Sequence, residues 1–167
     1  MDLITLTYGV HTAGERTQLD AFLRTYRVML NETLDGLSED EARRRLVPSR
    51  TTLLGLVKHA TYVEKIWFTE TLAGTPRADL GLPQDAADSY LLQEDDTVAS
   101  VRASHRQAFE AAQAAVEGTC LDTVLTGHPR IEGVTVRWVY LHMIRELAQH
   151  TGHAEILREI VLADRSS

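Results

Sequence analysis

The chain has 167 residues, 44% hydrophobic and 25% charged, with 17 basic against 24 acidic side chains and a net charge of −7. That size and balance predict a single domain over residues 1–167 with a core of its own, and the acidic surplus disfavours nucleic acid or an anionic membrane as a partner. No apolar run approaches a membrane span, the opening MDLITLTYGVHTAGER lacks the basic and apolar regions of a secretory signal, and the single Cys120 has no internal disulfide partner, so a cytoplasmic setting is expected.

Four long segments carry helical periodicity. The first runs from about Gly14 to Leu34, where Leu19, Phe22, Leu23, Tyr26, Leu30 and Leu34 recur at three- and four-residue steps and predict one buried face. A short helix follows: Ser38 and Glu41 form a capping-box pattern opening SEDEARRRL, and Pro48 ends it. The second long segment covers Thr52 to Leu72, with a stripe of Leu53, Leu56, Ala60, Val63 and Trp67, stopped by Gly74 and Pro76. A polar connection, TPRADLGLPQDAADS, has no period. The third long segment starts at Ser89 or Glu94 and runs to Val116, with Gly118 closing it. A second irregular connection, TCLDTVLTGHPRIEGVT, leads to the fourth, from about Thr135 to Leu162. No alternating strand pattern stands out. The expected fold is all-α: a four-helix bundle with a short extra helix and two long connections.

The chemistry concentrates in HMIRELAQHTGHAE, residues 142–155, which holds three of the seven histidines. A helix turns about 100° per residue. His142, Glu146, His150 and His153 therefore fall within an arc of roughly 80°, bordered by Val139, Met143, Leu157 and Val161. Polar groups on an interior stripe need a shared partner, because burying them singly is costly. A divalent metal is such a partner. Glu146 and His150, four residues apart, can project to one point. His59 lies beside the apolar stripe of the second helix and could complete a two-histidine, one-carboxylate set with open positions, suited to Zn²⁺, Fe²⁺ or another first-row ion. His142 and His153 are read as residues that orient the ligands, move a proton or line the pocket.

Plainer readings stand beside this one. An E-x-x-x-H spacing also arises as an exposed pair, and a single histidine such as His59 on an apolar face is commonly a hydrogen-bonded core residue. His105 reads as a core or rim histidine, and His11 and His128 as solvated. Cys120 reads as a buried or bystander thiol, since nothing nearby would lower its pKa. Trp67 and Trp138 read as core or pocket wall.

The stretches LVKHATYVE and TVRWVYLHMIRELAQHTGHAEILRE, together with GERTQLDAFLRTYRVML upstream, resemble a DinB-like family of actinobacterial proteins akin to mycothiol-dependent S-transferases. The resemblance covers nearly the whole chain and is thinnest in the third helix and the connection before it. It implies a DinB-like bundle, a homodimer and a divalent metal held by a histidine on the second helix and an H-x-x-x-H pair on the last. Those positions fall on His59, Glu146 and His150, so a carboxylate stands where the family pattern has a histidine. That departure leaves room for His142 or His153 as a ligand. The implied ion is zinc, with nickel, iron or manganese as alternatives. The implied reaction joins a low-molecular-weight thiol, mycothiol first, to an electrophilic small molecule in detoxification. A metal-stabilised binding or stress protein without turnover, and a metal-dependent hydrolase, fit the same residues.

Overall fold

The computed structural model describes residues 3–128 and 130–165. Its order is α1 (Leu3–Tyr8), α2 (Glu15–Glu32), α3 (Glu39–Arg43), α4 (Leu53–Glu64), α5 (Val98–Val116), a ribbon of β1 (Val124–Leu125) and β2 (Val134–Thr135), and α6 (Val136–Asp164). α4 runs on without a break into a π-helical segment, Lys65–Leu72, and two 3₁₀ turns, Arg77–Leu80 and Ala86–Tyr90, follow.

Four helix starts, those of α3, α4, α5 and α6, are capped by side chains. Ser38 and Glu41 make the expected capping box, and the Thr52, Thr97 and Thr135 hydroxyls accept the amides of Gly55, Ser100 and Trp138. The cap at Thr97 places the start of α5 at Val98, later than either Ser89 or Glu94, and leaves Ser89 in a 3₁₀ turn. α3 ends at Arg43, well before Pro48. Elements not foreseen from the sequence include α1 and the β ribbon. α1 is a short helix before Gly14, and β1 and β2 pair antiparallel, Val124 with Thr135 and Leu125 with Val134. Strands of two residues are too short to show a period.

The four long helices form a ring in which α2 packs on α6, α6 on α4, α4 on α5, and α5 closes thinly on α2. α2 and α4 therefore face each other across the bundle diagonal, as do α5 and α6. The link from α5 to α6 therefore crosses the bundle, as does the α3-containing link from α2 to α4, whereas the long connection from α4 to α5 joins neighbours and packs its Ala86–Tyr90 turn on α4. The core is apolar at Leu23, Leu30, Leu34, Leu53, Leu54, Leu56, Val57, Met143 and Leu147, each at most 1% exposed. Phe22 departs from the expected stripe and is 41% exposed.

An ion pair and a histidine are among the polar groups buried in the bundle. Arg27 of α2 donates from Nε and Nη2 to the two oxygens of Glu64 at 2.6 and 2.7 Å, the side chains being 4% and 0% exposed. The guanidinium also lies over the Phe68 ring, 5.3 Å from its centroid. His105 of α5 is fully buried; Asn31 donates to its Nδ1 at 3.2 Å, so the ring proton sits on Nε2, which has no partner among the described residues. Burial, with help from Arg27 and Arg106, holds the His105 imidazole down to about 3, so it is neutral in the folded protein.

Removing one member of the ion pair strands the other charge in the core, so Arg27→Met or Glu64→Leu should each destabilise by about 3–5 kcal/mol, and the double variant by less than either single one. Denaturant melts of the three variants check this. A second expectation concerns acid. His105 binds a proton in the unfolded chain below about 6.5 but in the folded chain only near 3. Its contribution is therefore complete above about pH 6.5 and is lost as the pH falls toward 3, at no more than about 1.4 kcal/mol per pH unit. His105→Leu should flatten the fall in stability between neutral pH and pH 5, measured as urea midpoints in chelator-treated protein.

Candidate metal centre

His59 is carried by α4 and is 5% exposed. Its neighbours in sequence, Leu56, Val57 and Ala60, are all buried and lock this face of the helix inward. Gly55, one turn earlier, permits a close approach: a Cβ there would lie 2.9 Å from the Tyr90 carbonyl oxygen. The Ala86–Tyr90 turn thus docks directly on α4. It brings the Ser89 hydroxyl 2.6 Å from His59 Nδ1 and lays the Tyr90 ring over the imidazole, with centroids 4.0 Å apart and planes 11° from parallel. The Ser89 hydroxyl donates to the Ala86 carbonyl at 2.5 Å, so it can only accept from His59. His59 therefore carries its proton on Nδ1 and turns an unprotonated Nε2 toward α6.

α6 supplies the opposite wall. Its buried stripe is Val136, Val139, Tyr140, Met143, Leu147, Thr151, Ala154, Leu157 and Val161. His150, Glu146 and His142 leave that stripe in four-residue steps, each turning about 40° further from the core. The side chains of His150 and Glu146 are 12% and 20% exposed. His150 Nε2 is 3.1 Å from Glu146 Oε1, His59 Nε2 is 3.5 Å from the same oxygen, and the ligand atoms of all three residues lie within 4.8 Å of one another. Two donors bound tetrahedrally at about 2.1 Å from one ion would stand roughly 3.4 Å apart, so the spacing and donor types fit a divalent metal. The contact to His150 holds the Glu146 carboxyl well below the usual carboxylate range, against its burial. Burial in turn pushes the His59 imidazole down, outweighing the neighbouring Glu146. Both groups are thus in their metal-binding protonation states at neutral pH. Tyr90 Oη lies 3.4 Å from His150 Nε2; burial and the Glu146 charge push its hydroxyl up to about 12, so it stays protonated. His150 Nδ1 is buried without a partner among the described residues, so no hydrogen bond fixes this ring as Ser89 fixes His59.

The other predicted residues lie apart from this trio. His142 is half-buried; its ring stacks on Trp138 at 5.0 Å and meets Trp67 edge-on at 4.9 Å, and its Nδ1 accepts from Arg145 at 3.1 Å. Burial lowers its pKa and keeps it neutral. His153 departs from the expected interior face. It is exposed, and its ring touches the edge of His150 at 5.8 Å. The arc drawn on the wheel was centred too far toward His142, and the buried stripe lies on its His150 side. His128 is half-buried where a solvated residue was expected, stacked flat on Trp67 at 4.4 Å. Its placement depends on Gly127, where a Cβ would come 3.2 Å from the Thr71 carbonyl oxygen of the π-helical segment. Cys120 is exposed, not buried. Ser89 and Tyr90 were missed because they sit in a connection without periodicity.

His59, Glu146, His142, Trp67, His128 and Tyr62 line a recess of about 310 Å³, whose wall also holds Arg77 and Arg130. Arg77 is neutralised by Glu70 at 2.9 Å. A larger hollow of about 990 Å³ lies between α2 and the end of α5, but its lining holds no histidine. The chemistry selects the smaller recess.

The Ser89 relay makes a direct prediction. Long-range ¹⁵N–¹H NMR should show His59 in the Nδ1–H form, and Ser89→Ala or Gly55→Ala should shift it to a tautomer mixture while the helical circular dichroism stays unchanged.

No curated protein matches this chain at a significant level. The family model described as mycothiol S-transferase matches residues 18–163, from the first turn of α2 to the last turn of α6. That span takes in every helix of the bundle and all three clustered residues, in an all-α fold of DinB-like type. The chain belongs to the mycothiol S-transferase family.

Proposed function

We propose that this protein is a metal-dependent S-transferase that joins the thiol of mycothiol to a small electrophile. One observation carries the reading: two members of the His59–Glu146–His150 cluster, His59 and Glu146, line a recess large enough for a small reactant. In this reading the three residues hold a divalent ion, zinc first, and nickel, iron or manganese as alternatives. When bound, such an ion lowers the pKa of a thiol beside it and keeps the sulfur as a nucleophilic thiolate. The chain's own residues do the rest. His59 is held in one tautomer by Ser89, and Glu146 supplies the negative charge that offsets the ion. The Tyr90 hydroxyl, protonated and 3.4 Å from His150 Nε2, can donate to a reactant at the open side. His142 lines the recess as a neutral imidazole whose Nδ1 accepts from Arg145, so its Nε2–H is the group placed to donate a proton to the leaving group. His153 is limited by its exposure to steadying the edge of the His150 ring. Trp67 and its stacked His128 wall the electrophile side, excluding water from the new carbon–sulfur bond. The setting fits detoxification in a reducing cytoplasm, where a low-molecular-weight thiol is abundant.

The test is conjugation of mycothiol to an alkyl halide by zinc-loaded protein. Parent protein should give a rate above background, falling to background in a His59→Ala, His150→Ala double variant, and stoichiometric metal should be lost with it. Ser89→Ala should keep the metal with affinity lowered by about 10–100-fold. Equal rates in the parent and the double variant overturn the reading. Glutathione and bacillithiol in place of mycothiol define the thiol.

A further inference from the structure

The recess lined by His59 and Glu146 holds a positive charge that the transferase reading does not use. The chain is acidic overall, at −7, yet the wall of this recess carries two arginines and one carboxylate. Glu146 is engaged by His150, His59 and Arg145. Arg77 is answered by Glu70, whose carboxylate takes its Nε at 3.0 Å and its Nη2 at 2.9 Å. Arg130 is exposed, and among the described residues its guanidinium has no hydrogen-bond or ion-pair partner.

This arginine is tied to the aromatic wall. Its backbone amide donates to Nδ1 of His128 at 3.2 Å, so the His128 ring proton sits on Nε2. That imidazole lies flat on Trp67. The Arg130 charge is close enough to be felt at the His128 ring.

The wall offers open ring faces. His128 stacks one face on Trp67 and His142 stacks one face on Trp138, with planes 6° and 5° from parallel. Among the described residues no second ring stacks on either imidazole. Burial lowers both pKa values, so the two rings present π surfaces rather than charges. Flat rings settle on such faces in offset stacks, and an electron-poor ring complements their negative quadrupole. At about 310 Å³ the recess is at the small end of ligand sites, with room for one ring rather than a fused system.

One uncompensated cation matches one negative charge. A phosphate monoester carries close to two at neutral pH, whereas a carboxylate carries one and meets the flat guanidinium fork with two oxygens. We propose that the electrophile is a planar aromatic carboxylic acid, its ring stacked against His128 and His142 and its carboxylate held by Arg130. The inference rests on the transferase reading and names the substrate class of that same site. For an aryl halide of this class, the thiolate sulfur attacks the ring carbon that bears the halogen. The carbon–sulfur bond forms, the carbon–halogen bond breaks with its electron pair, and halide and the thiol proton are released. The carboxylate is unchanged throughout.

A matched acid and amide test it. Dinitrobenzoate and dinitrobenzamide share a ring and differ in charge, and neither has a halogen to lose. Trp67 and Trp138 are the chain's two tryptophans, so their fluorescence reads binding at the recess without turnover. The parent should bind the acid at least about tenfold more tightly than the amide. Arg130→Gln should erase that preference, and Arg106→Gln, exposed on α5 and outside the recess, should keep it. In turnover with mycothiol, the ratio of kcat/KM for para-chloro-dinitrobenzoate over its amide should fall by a similar factor in Arg130→Gln. Equal binding of acid and amide by the parent overturns the proposal, as does a preference that survives Arg130→Gln. Turnover of the amide with no preference for the acid overturns the substrate class and spares the transferase reading. Selective, Arg130-dependent binding of the acid without turnover of either chloride overturns the transferase reading and leaves the acid site standing.

Discussion

The buried Arg27–Glu64 pair is the constraint on which the rest of the bundle turns. It spans the diagonal between α2 and α4, helices with little direct backbone contact. Hydrophobic burial alone would let α4 rotate about its axis among several comparable packings, since its apolar stripe is broad: Leu53, Leu54, Leu56, Val57, Ala60 and Val63 are all buried. A two-pronged pair in a dry interior tolerates no such freedom. Once Glu64 is fixed, His59 and Trp67 on the same helix are fixed with it. The orientation of the site is thus inherited from an ion pair that lies outside it.

Glu64 is also where the helix changes character. Beyond it the backbone widens into the π-helical segment, and Thr71 closes the segment by donating its hydroxyl to the Ile66 carbonyl at 2.7 Å. Single π turns are rare and gather at functional sites. Here the turn carries Trp67, against which both His128 and His142 rest. One helix therefore serves two ends: an α-helical part that presents a ligand-type histidine, and a widened part that presents an aromatic wall.

Much of this was legible in the sequence. The apolar periods of α2, α4 and α6 marked the helices, and the grouping of His59, Glu146 and His150 followed from spacing and residue type, because an i, i+4 pair on a helix has few places to point. The rest was hidden for physical reasons. The Arg27–Glu64 pair is made of residues 37 positions apart, and charged residues on helices are usually solvated. Ser89 and Tyr90 reach the site only because a glycine on another helix lets their turn approach, a relation that no local pattern encodes. His128 looked solvated because its segment is polar, and its stacking partner lies some sixty residues away on the π turn.

The outward spiral of His150, Glu146 and His142 has a further meaning. It grades burial along one helix, the His150 side chain being 12% exposed and the Glu146 side chain 20%, with the half-buried His142 imidazole one turn beyond. In the proposed reaction, a reactant that enters beside the half-buried His142 is still partly hydrated. Each helical turn toward His150 removes more water and strengthens every charge it meets. In that proposed reaction the pitch of the helix would set the order: recognition where charges are screened, chemistry where they are not.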